Sequence, residues 1–285
     1  MPQPTAATAT NTRVAKYSLA HLTLLDCSVP ELVFIAARAG YDAVSPRLIQ
    51  MGVAGECSKS PLDKNALEAT HTALEVTGIE VNDIELARIT DDCDINTFEP
   101  ALVAGAKLGA SRLISSVWTS RNDDRNFVID TFAALCDLAA QYDLTVALEF
   151  PTFSRLRDLK ETADIVKAAD KPNGGILIDT LYTHLSRVDP GELDDLPAEW
   201  FSFIHLCDVA PGIPDTREGM IHLARSSRLY PGEGYVDFAA LLNRLPPLDF
   251  SIELPNDSRV AELGYEEHAR RCLLAAKRMY STLTH

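Results

Sequence analysis

No run of about 18 apolar residues occurs in this chain, so no segment reads as a membrane-spanning helix. The first residues, MPQPTAATATNTR, lack the apolar core of a secretory signal, and residues 1–14 are expected to form a flexible tail. No two of the six cysteines stand at CxxC spacing. Cys27, Cys57, Cys93, Cys136, Cys207 and Cys272 are scattered through a chain too large to need disulfide staples, and a reducing cytoplasm is the expected setting. Nucleotide-binding glycine loops are missing as well: there is no G-x-G-x-x-G after the first strand-like run and no G-x-x-x-x-G-K-[ST] anywhere. Positive charge is scarce, with 26 Lys and Arg against 41 Asp and Glu and a net charge of −15. That balance disfavours nucleic acid or an anionic membrane as partner and suits a small neutral or weakly anionic ligand. Self-association into a homo-oligomer is left open.

Hydrophobic residues make up 46% of the 285 and charged residues 24%, enough apolar material for one large core. Strand-like and helix-like segments alternate from end to end, the pattern of a parallel sheet with helical crossovers. The strand candidates are 17–24, 43–49, 79–86, 112–118, 144–150, 175–181, 201–208 and 249–254, eight in all. Helical periodicity lies between them, as in VPELVFIAARAG, where Leu32, Ile35, Ala36 and Ala39 share a face and Gly40 supplies the stop. The count predicts a single-domain (β/α)₈ TIM barrel over residues 15–285. Irregular segments from Ile49 to Pro61 and from Ala210 to Leu229 are long for βα loops and would rise on the catalytic face.

Four residues with metal-ligand chemistry end four successive strand runs: Glu149 in VALEFP, Asp179 in GILIDT, His205 in FIHLCD and Glu253 in FSIELP. Three carboxylates and one imidazole, without a thiolate, suit one divalent cation: Mn²⁺ by preference, or Mg²⁺, Co²⁺ or Zn²⁺. In a barrel such strand ends converge on one mouth.

The ordered motifs ALEFP, IDTL, IHLCD, RLYPGEGYVDF and SIELP resemble those of the xylose isomerase-like (β/α)₈ superfamily, in its sugar phosphate isomerase/epimerase branch. The likeness runs from about residue 17 to the C-terminus. It implies that Glu149, Asp179, His205 and Glu253 hold the ion, and that Glu149 and Glu253 also act as acid and base on a keto sugar or polyol. The ion would bridge the carbonyl and an adjacent hydroxyl and stabilise the enediolate formed on deprotonation. The same likeness matches Asp208 to an acidic position and Arg228 to a basic position beside substrate. One departure stands out: where many such epimerases carry a histidine three residues after the aspartate, this chain has Tyr182, with His184 two further on.

Under the barrel pattern His21, Glu85, Arg47 and Trp118 also point toward the mouth as candidate substrate contacts. His71, His222, His268 and His285 stand at no recognisable ligand spacing, and Cys207 reads as an inert thiol. The leading expectation is an isomerase or epimerase acting on an unphosphorylated keto sugar or polyol. Loss of a β-leaving group after the same proton abstraction gives the alternative, a lyase or dehydratase acting on a keto-inositol or dehydroshikimate-like compound. A non-catalytic metal- or sugar-binding barrel is the third reading.

Overall fold

Parallel pairing with inward and outward alternation of side chains decides what this chain can hold at its centre. The structure, a computed structural model, describes residues 14–120 and 124–283. The expected tail lies outside the described residues except for Val14, and so does His285.

Nine parallel strands form one sheet: β1 (Tyr17–Ala20), β2 (Ala43–Ser45), β3 (Glu80–Val81), β4 (Ile84–Ile89), β5 (Arg112–Val117), β6 (Thr145–Glu149), β7 (Gly174–Asp179), β8 (Phe201–Leu206) and β9 (Asp249–Ile252). Their order is β3-β2-β1-β9-β8-β7-β6-β5-β4. β3 and β4 are two pieces of the expected third strand, broken at Asn82 and Asp83. β3 pairs with β2 and β4 with β5, while an Arg47–Glu85 bridge ties the free edge of β4 to the chain after β2. Eight barrel positions are therefore filled, and the ring is nearly closed. The break has a local cause: buried Asp83 accepts hydrogen bonds from Ser45 Oγ (2.5 Å) and Asn82 Nδ2 (2.6 Å), which draws polar side chains into the barrel floor.

Helices α1 (Val29–Ala39), α2 (Lys64–Thr77), α3 (Glu99–Lys107), α4 (Arg125–Ala140), α5 (Leu159–Ala169), α6 (Thr180–Leu185), α7 (Arg217–Ser226), α8 (Phe238–Leu242) and α9 (Asp257–Leu283) connect and flank the strands. In α1 the chemistry is plain. Ser28 and Glu31 form a capping box, Leu32, Val33, Ile35 and Ala36 are buried, and Gly40 ends the helix at φ 89°, a conformation that disfavours any residue with a Cβ. Each buried aliphatic side chain contributes roughly 1.5–3 kcal/mol. Two helices depart from expectation. The segment 210–229 holds α7, capped by the Thr216 hydroxyl, and β7 stops at Asp179 because its carboxylate caps α6 by accepting from Leu181 N (2.7 Å).

The barrel interior is a small separate core of Leu86, Ile114, Ala147, Leu177 and Phe203, while the outward strand faces join the helices in the main core. Two residues beyond Ala147, Leu177 and Phe203 come Glu149, Asp179 and His205. Period two therefore keeps these three inside, at the C-terminal end. No helix among the described residues is long and apolar enough to cross a membrane, and all six cysteines are free.

Candidate metal centre

Glu149, Asp179 and His205 end or nearly end β6, β7 and β8, and Glu253 follows β9 directly. Asp179 and His205 are level with each other in the sheet, and His205 is level with Ser251. One ligand atom from each of the four lies within 4.8 Å of the others. His205 Nδ1 faces both glutamates, 3.4 Å from Glu149 Oε1 and 3.5 Å from Glu253 Oε2.

Arg228, fully buried, supports this group from behind. Its Nη1 donates to Asp179 Oδ2 (2.8 Å) and to the Glu253 carbonyl (3.1 Å), its Nη2 to Glu253 Oε2 (2.7 Å), and its Nε to Ala224 O (2.8 Å). All three guanidinium nitrogens are thus engaged, which replaces the expected substrate contact with a hold on two carboxylates. Three carboxylates crowd one guanidinium and one imidazole here, an excess of negative charge that a divalent ion would offset. Glu149 Oε1 and both ring nitrogens of His205 have no hydrogen-bond partner among the described residues. Leaving such groups bare costs about 1–3 kcal/mol each, and coordination relieves it. The donor set therefore fits a divalent cation. Cys207 stays apart, with Arg228 Nη1 3.5 Å away and burial pushing its thiol up to about 12.

Electrostatics separate the two glutamates. Burial, with Glu253 nearby, pushes the Glu149 carboxyl up to about 7. Burial acts on Glu253 in the same direction, but His205 and Arg228 outweigh it and hold that carboxyl below the usual range. Burial disfavours charge on His205, yet the two glutamates raise its pKa well above the ordinary imidazole value, so positive charge is favoured at this point.

A cavity of about 550 Å³ opens over the cluster, lined in part by Glu149, His205, Glu253, Arg47, Glu85 and Tyr182; Asp179 does not line it. Arg47 is buried and donates through Nη2 to Glu85 Oε2 (2.8 Å), while its Nη1 is 3.5 Å from Glu56 Oε1. Its Nε and Nη1, and Glu85 Oε1, make no hydrogen bond among the described residues. Glu85 is not at a strand end as expected. It lies near the start of β4, where the register shifts between Ile84 and Ala87 and delivers it to the cavity. Trp118 follows β5, lines the cavity and donates to Ser116 Oγ (2.8 Å). The Tyr182 ring meets Phe153 edge-on, and its hydroxyl has no hydrogen-bond partner among the described residues.

Three expected contacts lie elsewhere. His21 is spent within the fold: Nδ1 accepts from Arg47 N (3.0 Å), Nε2 faces Cys27 O (2.9 Å), and burial pushes its pKa down to about 4. Asp208 anchors the PGEG turn by accepting from the backbone N–H groups of Val209, Gly232, Gly234 and Val236 at 2.8–3.0 Å. A Cβ on Gly234 would come within 2.1 Å of Val209 O, so the turn demands glycine there. His184 sits in α6 and does not line the cavity. Glu56, absent from the sequence reading, reaches Arg47 from outside the cavity: its carboxylate gathers the N–H groups of Met51, Gly52 and Val53 and then faces Arg47. Its only sequence signal is its place in the long loop 49–61.

Among proteins of known function, the chain is 24% identical over 148 residues to a 3-dehydroshikimate dehydratase of Pseudomonas putida, covering 50% of this chain and 23% of that protein. It is 25% identical over 126 residues to the inosose isomerase of Bacillus subtilis, covering 43% of each. The chain thus spans less than half the length of these relatives. A solved structure of the IolI protein with a bound zinc atom superposes with a TM-score of 0.77 at 18% identity, over 94% of this chain and 99% of that one, a likeness of fold. Residues 33–275 match the xylose isomerase-like TIM barrel family, and the chain belongs to that family.

Proposed function

We propose that this protein is a divalent-metal-dependent isomerase or epimerase of a keto sugar or polyol, with Glu149 and Glu253 as its acid–base pair. One observation carries the reading: of the three carboxylates in the cluster, Glu149 and Glu253 line the open cavity while Asp179 is held behind them by Arg228. The carboxylates that can reach a substrate carbon are thus the two glutamates, on either side of His205. Glu149, Asp179, His205 and Glu253 would hold the ion. When bound, the ion polarises the substrate carbonyl and offsets the negative charge that develops as the neighbouring proton leaves. One of the two glutamates removes that proton, and the other returns one at the other face or the neighbouring carbon. Arg47 and Glu85 offer unused donors beside an unused acceptor, the match for a hydroxyl group that both accepts and donates. The bound zinc of the IolI structure and the activity of inosose isomerase support this reading.

Tyr182 favours a second ending. Its free phenol lines the cavity, where it can donate a proton to a departing hydroxyl and turn proton abstraction into dehydration; the dehydratase relative supports this. Incubating the metal-loaded protein with keto polyols in D₂O separates the readings. The isomerase account expects an isomeric product carrying solvent deuterium, whereas release of water without an isomer selects the lyase. Glu149→Gln and Glu253→Gln should each slow exchange at least ~100-fold with the metal retained. Undiminished exchange in both variants would overturn the acid–base assignment, and metal binding without exchange would favour a non-catalytic barrel.

A further inference from the structure

Two arginines at the cavity rim remain outside this scheme. Arg88 lies in β4, and its guanidinium carbon is 5.7 Å from the ring centroid of Trp118, a cavity wall. Its one hydrogen bond is long, Nη2 to Met51 O at 3.5 Å, and Met51 also lines the cavity. Arg225, in the last turn of α7, lines the cavity itself and has neither an ion pair nor a hydrogen bond among the described residues. β4 and the connection between β8 and β9 stand on opposite sides of the ring, so the two residues flank the mouth from opposite sides.

Other positive charges act on Arg88. After burial, the charge that most lowers the Arg88 pKa is Arg225, followed by Arg47, with Glu56 acting the other way. Arg47 is already neutralised by Glu85 and Glu56. The rim acids Asp26 and Asp257 follow β1 and β9, and Asp26 accepts from the Tyr265 hydroxyl. Arg88 and Arg225 thus repel each other, and a bound anion would reverse that repulsion. On a chain of net charge −15, such a local pair also supplies the attraction that the molecule as a whole denies an anion.

We propose that Arg88 and Arg225 form an anion-binding pair at the cavity rim, which receives a carboxylate or phosphate group carried by the substrate while the ring or chain reaches down past Trp118 to the metal site. The inference deepens the proposed function by naming the substrate class, and it rests on that cavity being the substrate site. It narrows the expectation of a small neutral or weakly anionic ligand to the anionic one and reopens that of an unphosphorylated substrate: the metal end handles a keto polyol, and the rim reads its charged group.

Calorimetric binding to the metal-loaded protein tests it with matched probes: shikimate against its methyl ester, and myo-inositol monophosphate against myo-inositol. At least one anionic probe should bind about 10-fold more tightly than its neutral partner, and added salt should weaken only the anion. Arg88→Gln and Arg225→Gln should each remove most of that preference while leaving the neutral probes unchanged. A preference confined to shikimate identifies a carboxylate site, and one confined to the monophosphate a phosphate site. Equal affinity within both pairs, equal weakening of charged and neutral probes by the substitutions, or no binding of either anion at millimolar concentration would overturn the proposal. Binding is read without turnover. Failure of deuterium exchange therefore counts against the reaction alone, and loss of anion preference against the rim pair alone.

Discussion

The barrel mouth contains two buried arginines, each set between two carboxylates, and they are not equivalent. On the β7–β9 side Arg228 bridges Asp179 and Glu253, and all three of its nitrogens have partners. On the β2–β4 side Arg47 stands between Glu85 and Glu56, but Nε and Nη1 are left without a hydrogen bond. The charges are alike and the degree of satisfaction differs. With every nitrogen engaged, a saturated guanidinium is suited to positioning its neighbours, whereas an unsaturated one, with two nitrogens unengaged beside an open cavity, has donors left for a ligand.

Removing the saturated arginine should have the larger effect. Arg228→Met strands Asp179 and Glu253 in a dry site, and a loss of about 3–5 kcal/mol in unfolding free energy is expected for the protein stripped of metal by chelator. Denaturant titration checks this, and saturating Mn²⁺ should return part of the loss. Unchanged stability would mean that Arg228 is not what holds the carboxylates.

The β1–β2 wall can be probed by pH. His21 has its folded pKa lowered to about 4, so below the ordinary value of 6.5 the unfolded chain takes up a proton that the native chain refuses. This contribution to stability is therefore constant above pH 6.5 and declines as pH falls toward 4, by about 3 kcal/mol in total. His21→Asn should flatten that part of the pH–stability curve relative to the parent protein. If both curves keep the same slope between pH 6.5 and 4, the buried neutral imidazole is not supporting Arg47.

A smaller change is expected from the unsaturated arginine. Arg47→Met should raise KM for a turned-over keto polyol about 10-fold, roughly 1.4 kcal/mol, with kcat changed less. A fall in kcat at constant KM would instead place Arg47 in the chemistry.

Much of the metal centre is legible in the chain because it follows from period. Glu149, Asp179 and His205 each end an apolar run, and residues two earlier point the same way, so strand alternation alone brings them to the barrel axis. What surrounds them is not local. Arg228 meets Asp179 across 49 residues of sequence, and no pattern near either announces the contact. Asp208 and the PGEG turn look like substrate chemistry in one dimension, yet backbone N–H groups fill both carboxylate oxygens. α7 was readable in principle, from the Thr216 cap and the spacing of Met220, Leu223 and Ala224. Pro211 and Pro214 just before it make the segment look like loop. The third strand broke for a reason visible only in three dimensions, since Asp83 is polar but finds Ser45 on the neighbouring strand.

Calorimetric titration of Mn²⁺ into the wild type, Arg228→Met and Arg47→Met tests the contrast most directly. The account predicts one ion per chain in the wild type, an affinity lower by about 10–100-fold in Arg228→Met, and a change of no more than about twofold in Arg47→Met. Equal weakening in both variants, or metal binding that survives Arg228→Met intact, would contradict it.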